Sequence, residues 1–483
     1  MAENFDLIIQ GGIVVSEGEP YKADIGIKDG LITALGKVES ELPLKGARVI
    51  DASGKYVLPG IIDCHVHFRQ PGFEYKEDWL TGSLAAAFGG VTTVIEMPSM
   101  HPATDSVERF VQKRELAQSL CYVDFGLYAL VSEVSLPAIE QLHKAGITAF
   151  KIFLAPAPHH RPLPDGDLLE AFEALARTGA RCAIHAENGS IIDKRTSRLQ
   201  AMHRFDAGAH AVSRPEVCAI EAVNRAITFA EWTGAKIHIA HEGTAAGVDA
   251  VRAAKARGVD VTVETCPQYL LLSEDDLVRE GGVLRCNPPL RTSDNQERLW
   301  DAIRKGDIDV ISTDHAPHTK SEKLNKNIWE CDCGMLGVET AVPLMLNEVV
   351  QGRLTISQYV RMAATNPAKI WRLYPQKGTI RIGSDADVTI VDLKASFEVD
   401  QEKLHSKNKI SAWHKWSGHG VPICTVVRGN IVVENGKLVG KPGLGRFVQQ
   451  IPAKPQPRNT HLTLAKFAGS VQKTREPALS NPS

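Results

Sequence analysis

Residues 56–72 read YVLPGIIDCHVHFRQPG, and the reading of this stretch decides the fold. An apolar run, Val57-Leu58 and Ile61-Ile62, ends in His65-x-His67. Alternate side chains of a strand point to the same side, so two imidazoles leave the end of one strand together. Such a pair can grip a single metal ion at two of its positions. Arg69 stands two residues on, and Pro71-Gly72 then turns the chain off the strand. A bare His-x-His is weak, because surface strands carry it by chance. Its weight comes from a lysine, two more histidines and an aspartate, each on a later apolar strand.

C-terminal to this stretch, apolar strands alternate with amphipathic helices. Strands are expected at 57–65, 91–96, 121–128, 147–153, 181–185, 235–241, 259–265 and 308–314. Helical runs such as LLEAFEALARTG and EAVNRAITFAEWTG lie between them, several ending in a glycine that suits a helix C-cap. Eight β-then-α units make an α/β fold of the (β/α)8 barrel type, rather than a doubly wound sheet. N-terminal to the stretch are short strands around two hairpin signals, Gly11-Gly12 and Asp29-Gly30. A matching block recurs near the far end, as GTIRIGSDADVTIVDL and CTVVRGNIVVENGKLVG. The two blocks are expected to form one composite β-sandwich built from both termini. The expected division is 1–56 and 375–447 for the two parts of the sandwich and 57–374 for the barrel. The Pro-rich tail, 448–483, would be extended, disordered or draped over a neighbouring subunit.

Over 483 residues, 43% hydrophobic and 23% charged content with a net charge of -2 gives no electrostatic case for nucleic acid or an anionic membrane. No apolar run reaches the length of a membrane span, and MAENFDLIIQGG is not a secretion signal. Nine cysteines cannot all pair and fit reduced thiols in the cytoplasm. Cys331-Asp-Cys333 has no second pair at finger spacing and reads as a loop with two free thiols.

Barrel active sites lie at the C-terminal ends of the strands. His65 and His67 end the first strand, Lys151 sits in the fourth, His185 ends the fifth, His241 the sixth and Asp314 the eighth. Singly, each has a bland reading: Lys151 could snorkel, His185 could be a bonded core histidine, Asp314 could cap a turn. Jointly, six such residues at one end of separate strands are hard to obtain by chance. His238 and His241 point to opposite faces, and His241, nearer the strand end, is the one that enters the mouth. Four neutral histidines and an aspartate suit zinc or a similar divalent ion. A buried lysine beside metal would be a free amine, able to add carbon dioxide and become an anionic ligand.

These residues, with AAAFGGVTTVIEMP, FKIF, HAEN, ETCPQYLLL, NPPLR, TDHAPH, GVETAVPL, ATNPAKI and KGTIRIGSDADVTIVD, give the chain a resemblance. It resembles the cyclic amidohydrolases of the dihydroorotase, allantoinase and hydantoinase (dihydropyrimidinase) group, from about Asp6 to Gly445. The resemblance implies two divalent metals, most simply Zn2+, with His65, His67 and Asp314 on one and His185 and His241 on the other. Lys151, carboxylated from carbon dioxide or bicarbonate, would bridge them, and Asp314 would act as general base and then acid. It also implies a small cyclic amide or imide substrate and a homo-oligomer, dimer or tetramer. For the ring, Arg69, Asn287 and His318 look like the carboxylate grip of a dihydroorotase, although Ser99 stands where that group has asparagine. CPQYLLL, HAENGSIID and GKPGLGRF look like hydantoinase or allantoinase, but Ala155-Pro156 stands where a hydantoinase carries tyrosine. The expectation is dihydroorotase, converting dihydroorotate to N-carbamoyl-aspartate, with a neutral-ring allantoinase or hydantoinase as the alternative. A non-catalytic scaffold paralogue is the alternative of another class, disfavoured because all six ligands are present.

Overall fold

At Gly60 the chain passes from one sheet to another. The run expected as one strand over 57–65 is two, Tyr56–Pro59 and Ile61–Val66. A Cβ at Gly60 would lie 2.1 Å from Thr92 Oγ1, so only glycine lets the backbone pass this close. The computed structural model describes residues 5–36, 47–156 and 161–451.

Ile61–Val66 is the first barrel strand, β1. It is followed by β2 Val91–Glu96, β3 Asp124–Leu130, β4 Ala149–Phe153 and β5 Arg181–His185. The remaining strands are β6 Lys236–Ile239, β7 Val261–Thr265 and β8 Val310–Ile311. They form one parallel sheet in sequence order. Its two edges meet where His67 N donates to His315 O at 2.7 Å beside a Val66–His315 bridge. The barrel is thereby drawn shut directly beneath the two sets of polar residues. The eighth strand, expected over 308–314, is short because Thr313 turns inward and its N–H donates to Asp63 Oδ1 at 3.2 Å. Helices Asp165–Thr178 and Glu216–Thr233 end at Gly179 and Gly234, both left-handed at φ 67° and 75°.

Both termini meet on Tyr56–Pro59, which pairs antiparallel with Val388–Glu398 and parallel with Leu7–Val14. The resulting nine-stranded sheet encloses its own core of Ile9, Ile25, Val57, Val388 and Val426. Burial of each such side chain contributes about 1.5–3 kcal/mol. Asp29-Gly30 is the expected hairpin turn, at φ 52° and 79°. Gly11-Gly12 is not a turn; it lies inside Leu7–Val14, where a register shift between Ile9 and Gly12 marks a bulge.

Sandwich and barrel are riveted at the end opposite the mouth. Lys377 Nζ lies 2.7 Å from Asp124 of β3, 3.0 Å from Asp385 and 2.5 Å from Asp387. The first residues of the expected free tail also pack here, with Val448 N donating to Phe125 O and Ile451 N to Arg372 O, each at 2.8 Å. The rest of that tail, 452–483, lies outside the described residues.

Candidate metal centre

All six candidate ligands gather at the C-terminal end of the barrel. His65 and His67 leave β1 on the same side, and Nε2 of each lies 3.3 Å from Asp314 Oδ1. On the far side His185 Nδ1 lies 2.9 Å from His241 Nε2. The His65 and His241 rings, 5.1 Å apart, join the two groups. Lys151 projects from β4, fully buried, and its Nζ has no hydrogen-bond partner among the described residues. Burial lowers its ammonium to about 8, and Phe153 covers it with its ring centroid 5.1 Å away. His241, Asp314 and Arg69 all sit in the left-handed region, at φ 39°, 49° and 62°. Non-glycine residues held there are strained, and such strain collects at sites that must aim a side chain.

Burial favours the neutral, lone-pair form of His67, His185 and His241. Burial lowers His67 to about 3, although Asp314 pulls the other way. Burial would raise Asp314, but His65 and His67 hold its carboxylate below the usual range, so it is anionic at neutral pH. His185 is oriented from behind: its Nε2 is 2.9 Å from Glu187 Oε2, and Glu187 in turn pairs with Arg214. Converging imidazole nitrogens, one carboxylate and an orphaned buried amine are the donor set that two divalent cations and a carboxylated lysine would satisfy. The residues present fit such a centre.

One residue of the centre escaped the sequence reading. Glu264, in β7, accepts from His65 Nδ1 and from His241 N, the latter at 3.0 Å, while His238 Nε2 lies 3.1 Å from its other oxygen. The signal was a charged residue inside the apolar run VTVET, the same signal that singled out Lys151. Contrary to expectation, His238 does not lie on the opposite face: it enters the barrel one layer below the mouth, its Nδ1 2.8 Å from Thr262 Oγ1 and its ring 5.3 Å from that of Trp371.

The expected substrate contacts surround this centre. Arg69 does not pair with Glu74 or Glu77, the simplest alternative. Its Nη2 lies 3.1 Å from His318 Nε2, while Glu74 accepts from Gly72 N and Glu77 from Lys407 N. His318 Nδ1 lies 3.0 Å from Asp332 Oδ2 and 3.1 Å from Lys76 Nζ, and its Nε2 also lies 3.0 Å from Cys333 O. Ser99 Oγ and Asn287 Oδ1 are buried without a hydrogen-bond partner among the described residues. Beside Phe153 opens a cleft of 380 Å³ lined by Met100, Ala103, Leu130, Glu133 and Arg161.

The amidohydrolase family model matches residues 56–432. The chain belongs to the amidohydrolase family. It is 35% identical over 450 residues to an L-hydantoinase of Paenarthrobacter aurescens, covering 92% of this chain and 98% of that one. It is 36% identical to an allantoinase of Rubrobacter xylanophilus, again over 92% and 98%. Among solved structures, the L-hydantoinase (dihydropyrimidinase) from Arthrobacter aurescens superposes with a TM-score of 0.90 at 35% identity, over 92% of this chain and all of that one. This amidohydrolase is therefore a metal-dependent hydrolase of cyclic amides, with a barrel and a sandwich domain as those relatives have. No helix among the described residues is long and apolar enough to cross a membrane.

Proposed function

We propose that this amidohydrolase opens a hydantoin-type ring, a five-membered cyclic ureide such as hydantoin or allantoin, by hydrolysis of a ring amide. The observation that carries this reading is the convergence of six donor residues on one barrel mouth beside a substituent-sized cleft. Relatives named for hydantoin and allantoin, aligned over 92% of the chain, favour the neutral ring. The dihydroorotase expectation gives way to its alternative.

His65, His67 and Asp314 would hold one cation and His185 and His241 the second, with zinc the ion that suits nitrogen-rich donors. Lys151, whose ammonium burial lowers to about 8, would release that proton, add carbon dioxide through the free amine and lose a second proton to become a carbamate, an anionic ligand for the cations. The cation pair, when bound, polarises the ring carbonyl and makes water a nucleophile at neutral pH. Asp314 takes the proton of the attacking water and delivers it to the leaving ring nitrogen, as base and then acid. Ser99 and Asn287 offer the unpaired polar atoms that would orient the ring.

A second reading is favoured by one observation. Arg69 keeps a buried Nε without a hydrogen-bond partner while His318 holds its other end, a fork suited to an acidic substituent on the ring. Dihydroorotate carries such a group, and so does an acidic 5-substituted hydantoin. Turnover by the metal-loaded protein of hydantoin, allantoin, dihydrouracil and dihydroorotate tests both. Opening of a five-membered ring supports the first reading; opening of dihydroorotate alone replaces it with the second.

A further inference from the structure

Between the strands Val388–Glu398 and Ser417–Val427 the chain leaves the sandwich and crosses the barrel helix Trp79–Phe88. It is anchored on the way. Leu404 and Ser406 are buried, the His405 ring stacks on Phe88 at 3.5 Å, and His405 N donates to Glu339 at 2.7 Å. The next two residues grip the loop that follows β1 and carries Arg69. Lys407 N donates to Glu77 at 3.2 Å, and its side chain pairs with Asp78. Three successive loop carbonyls accept from this strap: Glu74 O from Lys407 Nζ at 2.6 Å, then Tyr75 O and Lys76 O from Asn408 Nδ2 at 3.0 and 2.6 Å.

The held backbone leads straight to the recognition side chains. Lys76 Nζ lies 3.1 Å from His318 Nδ1, 2.7 Å from Asp332 and 3.0 Å from Glu322. His318 then meets Arg69 through its other nitrogen. Within the loop itself the backbone makes two such bonds, Phe73 N to Arg69 O and Lys76 N to Phe73 O. The carbonyls of residues 74–76 are thus held by donors from outside the loop.

The geometry points to Asn408 as a positioning residue for substrate recognition, fixing through Lys76 and His318 where Arg69 presents its guanidinium. The inference rests on Arg69 and His318 being substrate contacts. It explains why a residue 332 positions away from Lys76 reaches across from the other domain to cap that backbone.

The test is steady-state kinetics of Asn408→Ala and Asn408→Asp with two probes, hydantoin and 5-carboxymethylhydantoin. Both variants should raise KM for the acidic probe about tenfold, the effect of about 1.4 kcal/mol from a donor that holds two loop carbonyls. Values of kcat, KM for hydantoin and a content of two metals per chain should stay at wild type. Aspartate keeps the shape of asparagine but has no proton to donate, so a space-filling role would leave that variant unaffected. Adding Lys76→Met to Asn408→Ala should cost little more, because both act on one path. If an Asn408 variant fails to fold, Lys407→Met carries the same expectation. Unchanged KM for the acidic probe, or an equal rise for both probes, overturns the inference. A wild type that opens neither probe overturns instead the functional reading beneath it.

Discussion

His185 Nδ1 faces His241 Nε2 at 2.9 Å, two strand ends aimed at one point. His185 gives its own proton to Glu187 at Nε2, so the nitrogen that faces His241 is a lone-pair donor. A facing pair at this distance can share one proton or one bound cation. The account of this enzyme follows from that pairing and from the His65–His67–Asp314 group next to it.

Lys151 is the residue on which the two groups depend. Lys151→Ala should abolish ring opening and leave fewer than two metals per chain, read by elemental analysis. Short carboxylates added to the variant should restore part of the activity. Full activity in the variant would exclude a bridging carbamate.

Asp314→Asn keeps shape but cannot accept a proton. Its kcat should fall by about 10²–10⁴ while substrate still binds. Near-normal kcat would assign the proton transfer to another group.

Arg69→Met separates the two ring readings. For dihydroorotate or an acidic hydantoin it should cost about 3 kcal/mol or more in kcat/KM, as for a charge left unpaired in a dry site. Hydantoin itself should be little affected. Ser99→Asn should improve whatever dihydroorotate turnover exists. Equal losses on charged and neutral rings would remove Arg69 from substituent recognition.

Glu187 gives the pH dependence. Burial would raise its carboxyl, but Arg214 and His185 hold it at about 2, against an ordinary value of 4.5. A depressed carboxylate stabilises the fold fully above the ordinary value, and that stability is lost as pH falls through the folded one. Glu187→Gln should therefore be less stable than wild type at neutral pH, by about 3 kcal/mol for a broken buried pair. The gap should close between about pH 4.5 and 2, measured by denaturant unfolding. A gap independent of pH would mean that Glu187 does not carry this charge.

The sequence exposed the centre because its residues stand at strand ends, where polarity interrupts an apolar run; His65, His67, His185, His241 and Asp314 were all visible that way. Glu264 interrupts the apolar run VTVET in the same way, but its role was not legible, because its partners His65 and His238 are brought to it only by the fold. The sheet switch at Gly60 was hidden for a different reason. Apolar character is continuous from Val57 to Ile62, and periodicity does not record which neighbour a strand pairs with. The strap at Lys407 and Asn408 joins residues more than three hundred positions apart through main-chain carbonyls, which leave no mark in composition. Ring preference was read wrongly because Arg69, Asn287 and His318 point to one relative, while Ser99 departs from it and CPQYLLL and HAENGSIID point to others.

The most direct measurement is metal titration of chelated protein, following hydantoin opening and bound metal together. The account predicts no turnover without metal, and activity that rises until two ions are bound per chain in the presence of bicarbonate. Ring opening by metal-free protein, or full activity with His185 and His241 both replaced by alanine, would contradict it.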